Sequence, residues 1–307
     1  MTARSVTITA DDFGLNPAVN AAIIELSVSG RLHAASVLVE APHAAAALEA
    51  QVPIAVGLHV ALAPAMLAGA TGEQIHAEIE RQWDRMVRHG RTPAHLDLHT
   101  AALYGVGAEA LRPGGVLVEA LAVAAAHRVP LRLPRVLPPG FADGTEGHAA
   151  LLAAADEAGV ALPEAICTDF RPGQEVSGYG DLRAHYRALI AQLPAGRSEV
   201  FLHPAVPSGT ESDDDGTRPG SRAGDDGARP GSRAPDLGTR PGGRAHHSGS
   251  HPGGRTPVGT SRSGEHGRDG ATHLGSDAAD SRKCVWEYQL LVSGDLHHDL
   301  AAANIRT

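Results

Sequence analysis

Two adjacent carboxylates, Asp11 and Asp12, follow the short alternating segment Ser5-Val6-Thr7-Ile8-Thr9 and precede Phe13-Gly14. Like charges side by side repel, so holding both at a strand end needs a compensating charge, and a metal ion is the usual one. Three other apolar runs close in a similar way. Gly57-Leu58-His59 ends the run that begins at Ile54. Leu96-Asp97-Leu98-His99 ends a second. Glu199-Val200-Phe201-Leu202-His203 ends a third. Acids and imidazoles at the C-terminal ends of strands are where parallel α/β folds build their sites.

Asp12, His59 and His99 form a chemically sensible ligand set. Two imidazoles and one carboxylate leave coordination positions open for water, as a catalytic centre requires. A divalent ion there would acidify its bound water and polarise a carbonyl. Asp11, beside a ligand but not bound, could accept the water's proton. His203 could protonate a leaving group or stabilise an oxyanion. Asp97 reads as a partner orienting a ligand histidine. Arg132 and Arg135 are candidates to position substrate. Each residue also has a plainer reading. An Asp-Asp pair is often a turn or a cap, a strand-end histidine is often only structural, and arginines are mostly on surfaces. Two histidines favour a transition metal, whereas a water-rich site also suits magnesium, so Mg2+ and Zn2+ both stay open.

The elements that must position these residues alternate strand and helix. Asn16 reads as an N-cap before Pro17, with Val19, Ile23 and Leu26 on one face and Gly30 at the end. Strands are expected at 35–39, 54–60, 95–98 and 199–202, with a short one over Pro130-Leu131-Arg132-Leu133-Pro134. Thr71 is placed to cap a helix carrying Ile75, Ile79, Trp83 and Met86. Helices are also expected over 115–127, around 182–193 and over 295–305. Repeated βα units predict an α/β fold, an irregular (β/α) barrel of about seven parallel strands. The histidines at 33, 43, 76, 89, 127, 148 and 185 show no partner pattern and read as solvated.

Residues 208–282 stand apart. They hold 17 of the 36 glycines, no aromatic residue, and only Leu237, Val258 and Leu274 as aliphatics larger than alanine. Gly216–Ala223, Gly227–Ala234 and Gly238–Ala245 repeat at a period of 11. A solenoid unit needs an apolar face to stack, and this one has none. The segment therefore reads as a disordered insertion. Its ten arginines face eleven acids, and the interleaved aspartates disfavour an Arg-Gly nucleic-acid tail. The rest of the chain carries 16 basic and 24 acidic residues, a net −8, which also argues against nucleic acid. The expected organisation is a barrel domain over 1–207, the insertion over 208–282, and a segment 283–307 that completes the barrel. No apolar run is long enough to span a bilayer. The acids at 11 and 12 interrupt any signal-peptide-like start, and two distant cysteines suit a reducing cytoplasm. The sequence assigns no oligomeric state.

Taken together, Thr9-Ala10-Asp11-Asp12-Phe13-Gly14-Leu15, Gly57-Leu58-His59, Pro93-Ala94-His95-Leu96-Asp97-Leu98-His99, Thr168-Asp169-Phe170 and Leu202-His203-Pro204 resemble the YdjC-like carbohydrate deacetylases. They occur in that family's order over residues 5–206, and the resemblance extends to 285–305. The Leu-His-Pro ending is also similar to a branch associated with hopanoid biosynthesis. The resemblance implies removal of the N-acetyl group from amino sugars or chitooligosaccharides, an N-acetylated sugar as partner, and a divalent metal. It implies Asp12, His59 and His99 as ligands, Asp11 as base, and Asp169 as a residue near the ligands or the substrate. The chain departs from the family pattern after His99. Thr100, Ala101, Ala102 and Leu103 stand where the family commonly places two further histidines, and Ala205 replaces a usual glycine. The alternatives are a metal-dependent hydrolase of another amide or ester, and a member that binds sugar or a partner without turnover.

Loop-closure cost grows only slowly with length, by about 0.6 kcal/mol per doubling. Replacing the insertion with a short Gly-Ser linker is therefore expected to leave the thermal unfolding midpoint and metal binding unchanged. Loss of either would show that the segment belongs to the barrel.

Overall fold

A computed structural model of the chain describes residues 3–99, 115–138, 145–207 and 278–307. Its centre is a six-stranded, all-parallel sheet in the order β4-β3-β2-β1-β6-β5. The strands are β1 (Arg4–Phe13), β2 (Ala34–Val37), β3 (Ala55–Val60), β4 (Leu96–Leu98), β5 (Ile166–Cys167) and β6 (Gly196–Leu202). The sheet curls into a half-barrel. The segment 130–136 crosses the space between its edges. On one side Leu96 N–H donates to Pro130 O and Arg132 N–H donates to Leu96 O. On the other, Leu131 N–H donates to Ala161 O and Val136 N–H to Glu164 O, and Glu164 N–H donates to Arg197 O. The strand expected over 130–134 is reduced to a single bridge at Leu131. Pro130 and Pro134 bring no N–H, so no longer ladder forms there.

Strand alternation sorts the residues. Val6, Ile8 and Ala10 face outward into the helix-covered core, together with Val200 and Leu202. Helices α1 (Pro17–Val28), α4 (Gly72–Arg88), α5 (Val116–His127) and α7 (Tyr179–Ala191) supply the facing apolar stripes; the shorter α2 (Ala44–Glu49) and α3 (Pro64–Gly69) lie between α1 and α4, and α6 (Thr145–Ala158) between α5 and α7. Helix α1 starts as the sequence predicts, with Val19 N–H donating to Asn16 Oδ1 at 2.9 Å and Pro17 in the first turn. Helix α4 opens with a reciprocal capping box between Thr71 and Gln74 and buries Ile75, Ile79, Trp83 and Met86.

The inward-facing set is polar. Thr7, Thr9, Arg132, Glu199 and His95 line a cavity of about 190 Å³ inside the barrel. Gly57 makes room for His95, because an ideal Cβ on it would lie 2.3 Å from His95 Nε2. The glycine of the Gly57-Leu58-His59 motif is thus a steric requirement of the barrel interior.

Beyond residue 277 the described chain continues as α8 (Ala278–Val292) and α9 (Asp295–Ala302). The expected insertion falls outside the described residues up to position 277. Its last five residues, 278–282, belong to α8 instead, where Asp280 accepts from Gly173 N–H at 2.7 Å. Helix α8 is tied to the end of the last strand by Ala205 N–H donating to Cys284 O. Several histidines read as solvated have partners. His148 is buried against Pro134 O. His127 stacks on Trp83 and reaches Glu80, and His76 reaches Glu119. Among the described residues no helix is long and apolar enough to cross a membrane.

The contact at Gly57 is open to test. Gly57→Ala should cost about 1–3 kcal/mol in chemical denaturation, the usual range for overpacking. In a His95→Ala background the same change should cost little. Additive penalties would remove His95 as the cause.

Candidate functional site

Strand β1 cannot place two neighbouring carboxylates on one side without breaking its alternation. Its pairing with β2 slips between Ala10 and Phe13, so three residues of β1 span two of β2. Asp12 takes the left-handed conformation, φ 65°, which Asp tolerates better than most residues. Gly14 follows at φ 101°, with its N–H donated to Asn20 Oδ1 at 2.7 Å. The bulge leaves Asp11 pointing into the barrel and turns Asp12 to the mouth. Both are buried, each 1% exposed.

At the mouth Asp12 meets the two histidines. His99 Nδ1 lies 2.9 Å from Asp12 Oδ1 and His59 Nε2 lies 3.4 Å from it. The two imidazole nitrogens are 3.2 Å apart. An ion with bonds of about 2.1 Å separates neighbouring ligand atoms by about 3.0 Å in an octahedron and about 3.4 Å in a tetrahedron. The triangle has that size. Asp12 Oδ1 is also buried without a well-directed hydrogen bond, although both nitrogens are close. An acceptor aimed at a common point rather than at a donor fits a shared cation. The residues present therefore suit a divalent metal.

Beneath this triangle runs an ordered chain. His59 Nδ1–H donates to Asp97 Oδ1 at 2.6 Å, which leaves Nε2 free as a ligand atom. Ser36 Oγ–H donates to Asp97 Oδ2 at 2.6 Å. The single Ser36 hydrogen is then used, so His95 Nε2–H, 3.0 Å away, must be the donor to Ser36 Oγ. Asp97 thus orients His59, as the sequence suggests.

Arg132 is gathered among carboxylates. It is 2% exposed and lies under the site. Its two terminal nitrogens grip Asp11 at 2.6 and 2.8 Å, one of them also reaches Asp97 Oδ2 at 2.7 Å, and Nε donates to Glu199 Oε1 at 2.9 Å. Its guanidinium carbon sits 4.5 Å above the Phe201 ring. Arg135 is half-exposed on Asp156. Asp169 is buried, and its carboxylate is engaged by Arg171, 2.7 Å, and lies 3.6 Å from His185 rather than reaching the ligand histidines. Thr100–Leu103, where the family's further histidines would stand, lie outside the described residues. His203, after β6, packs edge-on to Phe201 and lies close enough to Asp12 for its charge to act on that carboxylate.

The electrostatics follow from this crowding. Burial works against ionised Asp12, but the close approach of His59 and His99 outweighs it and holds its carboxyl well below the usual range. Burial likewise opposes a charge on His59. Asp97 and Asp11, with hydrogen bonds to Asp12 and Asp97, overcome it and raise its pKa to about 10 without an ion. Asp97 is held low against its burial by Arg132 and His59.

Sequence reasoning missed Ser36, Glu199 and Glu287. The burial of Arg132 had a signal, since it stands between leucines in a proline-bounded apolar segment. A six-stranded parallel half-barrel with polar residues gathered at its strand ends defines an α/β barrel-like fold. The chain belongs to the YdjC-like protein family, whose sequence profile matches residues 5–229. No curated protein matches it. Two solved structures are similar to it. A protein of Enterococcus faecalis V583, provisionally described as a cellobiose-phosphate cleavage protein, is 21% identical over 67% of this chain and 83% of its own, with a TM-score of 0.49. A family 4 carbohydrate esterase from Streptomyces lividans, in complex with acetate, is 13% identical over 66% of this chain and 80% of its own, with a TM-score of 0.34.

The raised pKa of His59 has a sign that can be checked. The metal-free folded value lies above the ordinary 6.5, so the proton on His59 stabilises the metal-free protein fully below pH 6.5. That contribution is lost as pH rises through about 10. An ion must displace this proton. Titration with Zn2+ at pH 7.5 in buffers of different ionisation heat should show about one proton released from wild type. Ser36→Ala should bind the ion about tenfold more weakly, the scale of lost outer-layer support. No proton release would exclude His59 as a ligand.

Proposed function

We propose that the chain is a metal-dependent hydrolase that removes the N-acetyl group from an amino sugar or a chitooligosaccharide. The observation that carries this reading is the Asp12-His59-His99 triangle, with the Asp11 carboxylate fixed beside it by Arg132. Membership of the YdjC-like family supports it. Asp12, His59 and His99 would hold a divalent cation, Mg2+ or Zn2+, which when bound polarises an acyl carbonyl and acidifies water.

The chain's own residues divide the proton work. Asp11 takes the proton of the attacking water. Each of its oxygens faces one N–H of Arg132 and keeps a further lone pair for that proton. The two-pronged contact stops the carboxylate from rotating away. Asp11 oxygen and His59 nitrogen lie within 4.8 Å of each other, so the base stands beside the ligand set without belonging to its triangle. His203, on another strand end, gives its proton to the departing sugar nitrogen as the C–N bond breaks. Acetic acid and an amine form, the acid's proton passes to the amine so that acetate and an ammonium leave, and solvent returns the proton from Asp11 to His203. Acid and base on separate strands suit an attack and a departure on opposite sides of one carbon.

Asp11→Asn keeps the shape and one hydrogen-bond acceptor but removes the base. Acetate release from N-acetylated chitooligosaccharides should fall by about 10²–10⁴-fold, while Zn2+ affinity stays within a few-fold of wild type. Wild-type rates in this variant would take Asp11 out of the reaction. Absence of acetate release by wild type across N-acetylated sugars, with Mg2+ and with Zn2+, would overturn the function itself.

A further inference from the structure

Glu287 is a buried acid, 1% exposed, on helix α8. That helix lies beyond the residues matched to the family and after the long Gly- and Arg-rich stretch. Its carboxylate is fixed from two directions. Tyr186 O–H donates to Oε1 at 2.9 Å. The backbone N–H of His203 donates to Oε2 at 2.7 Å. Across the same oxygen, His203 Nδ1 stands at 3.8 Å. Among the described residues His203 is the basic side chain that reaches this carboxylate.

A charge is a costly way to make those two hydrogen bonds. A glutamine would accept from the tyrosine or the backbone without the desolvation cost of an ionised group. Lys283, one turn earlier on α8, forms no ion pair with it among the described residues; its ammonium is turned to the carbonyl oxygens of Asp169 and Arg171. The position makes sense where the acid faces a group that carries a proton during turnover. His203 is that group. A 3.8 Å approach is longer than a hydrogen bond, but such contacts often tighten only when substrate is bound.

We propose that Glu287 is the positioning residue of His203: its carboxylate accepts from Nδ1–H, fixes that tautomer, and leaves Nε2 turned toward the substrate pocket. Asp97 holds His59 by the same device on the other side of the mouth. The segment after the insertion thereby completes the acid half of the site, while the metal half comes wholly from residues before position 100. This inference rests on the role given to His203 in the proposed deacetylase.

Full-length Glu287→Gln keeps an acceptor for Tyr186 or His203 N–H and loses the charge. Its turnover number for acetate release should drop by ten-fold or more, with KM and Zn2+ affinity unchanged. Glu287→Asp, which keeps the charge, should recover part of the loss. Combining Glu287→Gln with His203→Ala should add nothing to His203→Ala alone. An unchanged turnover number in Glu287→Gln, or a change confined to KM, overturns the proposal. A second readout is independent of the activity. In wild type, nitrogen-15 spectra of the His203 ring, assigned by their loss in His203→Gln, should show a protonated Nδ1. A neutral ring protonated at Nε2 overturns the positioning role even if acetate is released. A wild type that releases no acetate but shows protonated Nδ1 overturns the deacetylase reading and leaves the Glu287 contact standing.

Discussion

A single guanidinium holds the interior of this barrel together. Arg132 meets Asp11, Asp97 and Glu199 at 2.6–2.9 Å and rests on the face of Phe201. Without it three carboxylates would share a space nearly closed to water. Breaking one buried pair typically costs about 3–5 kcal/mol, and here one side chain serves three partners. Lysine could not replace it, because a point charge cannot fork across both oxygens of Asp11 while reaching two further acids. Even so the charge is not balanced. With Asp12 the site holds four acids against one arginine, and the remaining negative charge must be met at the mouth. The proton on His59 meets part of it, and a divalent cation in the triangle would meet more. Structural and chemical demands therefore converge on the same few ångströms.

Much of the site was legible because strand ends announce themselves. The pairs Asp11-Asp12 and Asp97-His99, and the lone His59 and His203, each close an apolar run, so a parallel fold had to bring them to one rim. The helices were legible for similar local reasons, through the Asn16 and Thr71 caps and the spacing of Ile75, Ile79, Trp83 and Met86. What stayed hidden depends on contacts far apart in sequence. Ser36 sits in an unremarkable Ala-Ala-Ser-Val run, and its link to Asp97 spans 61 residues. Glu287 looks like any helical glutamate until α8 is laid against Tyr186 and the end of β6. The strand at 130–134 is reduced to one bridge, because its apolar pattern is strand-like while its two prolines withhold the N–H groups a ladder needs. The bulge at Asp12 has no sequence signature beyond the acid pair and the glycine that follows.

His59 and His203 each have a carboxylate behind them, at 2.6 and 3.8 Å, and each carboxylate accepts from a neutral hydroxyl. Ser36 serves Asp97, and Tyr186 serves Glu287. Hydroxyls suit this task because they donate to the acid without cancelling its charge. At Asp97 the hydroxyl acts alongside the Arg132 charge on the same oxygen. Gly57 belongs to the same arrangement, since without its missing side chain the His95 ring could not sit beneath Ser36.

The closure of the ring by Arg132 has a consequence for the order in which the chain can fold. The triangle of Asp12, His59 and His99 lies within the first hundred residues, yet the cation that offsets Asp11 and Asp97 arrives only at residue 132. The pairing of β1 with β6 waits longer still, as the contact from Thr9 to Glu199 spans 190 residues. As the ribosome extends the chain, the first four strands can be drawn together by their apolar faces, but burying their acids then has no counterweight. Such a half-sheet stays open until the arginine is delivered. Long-range closure of this kind is slow. Closing the barrel and balancing the buried acids of the candidate site are then one event.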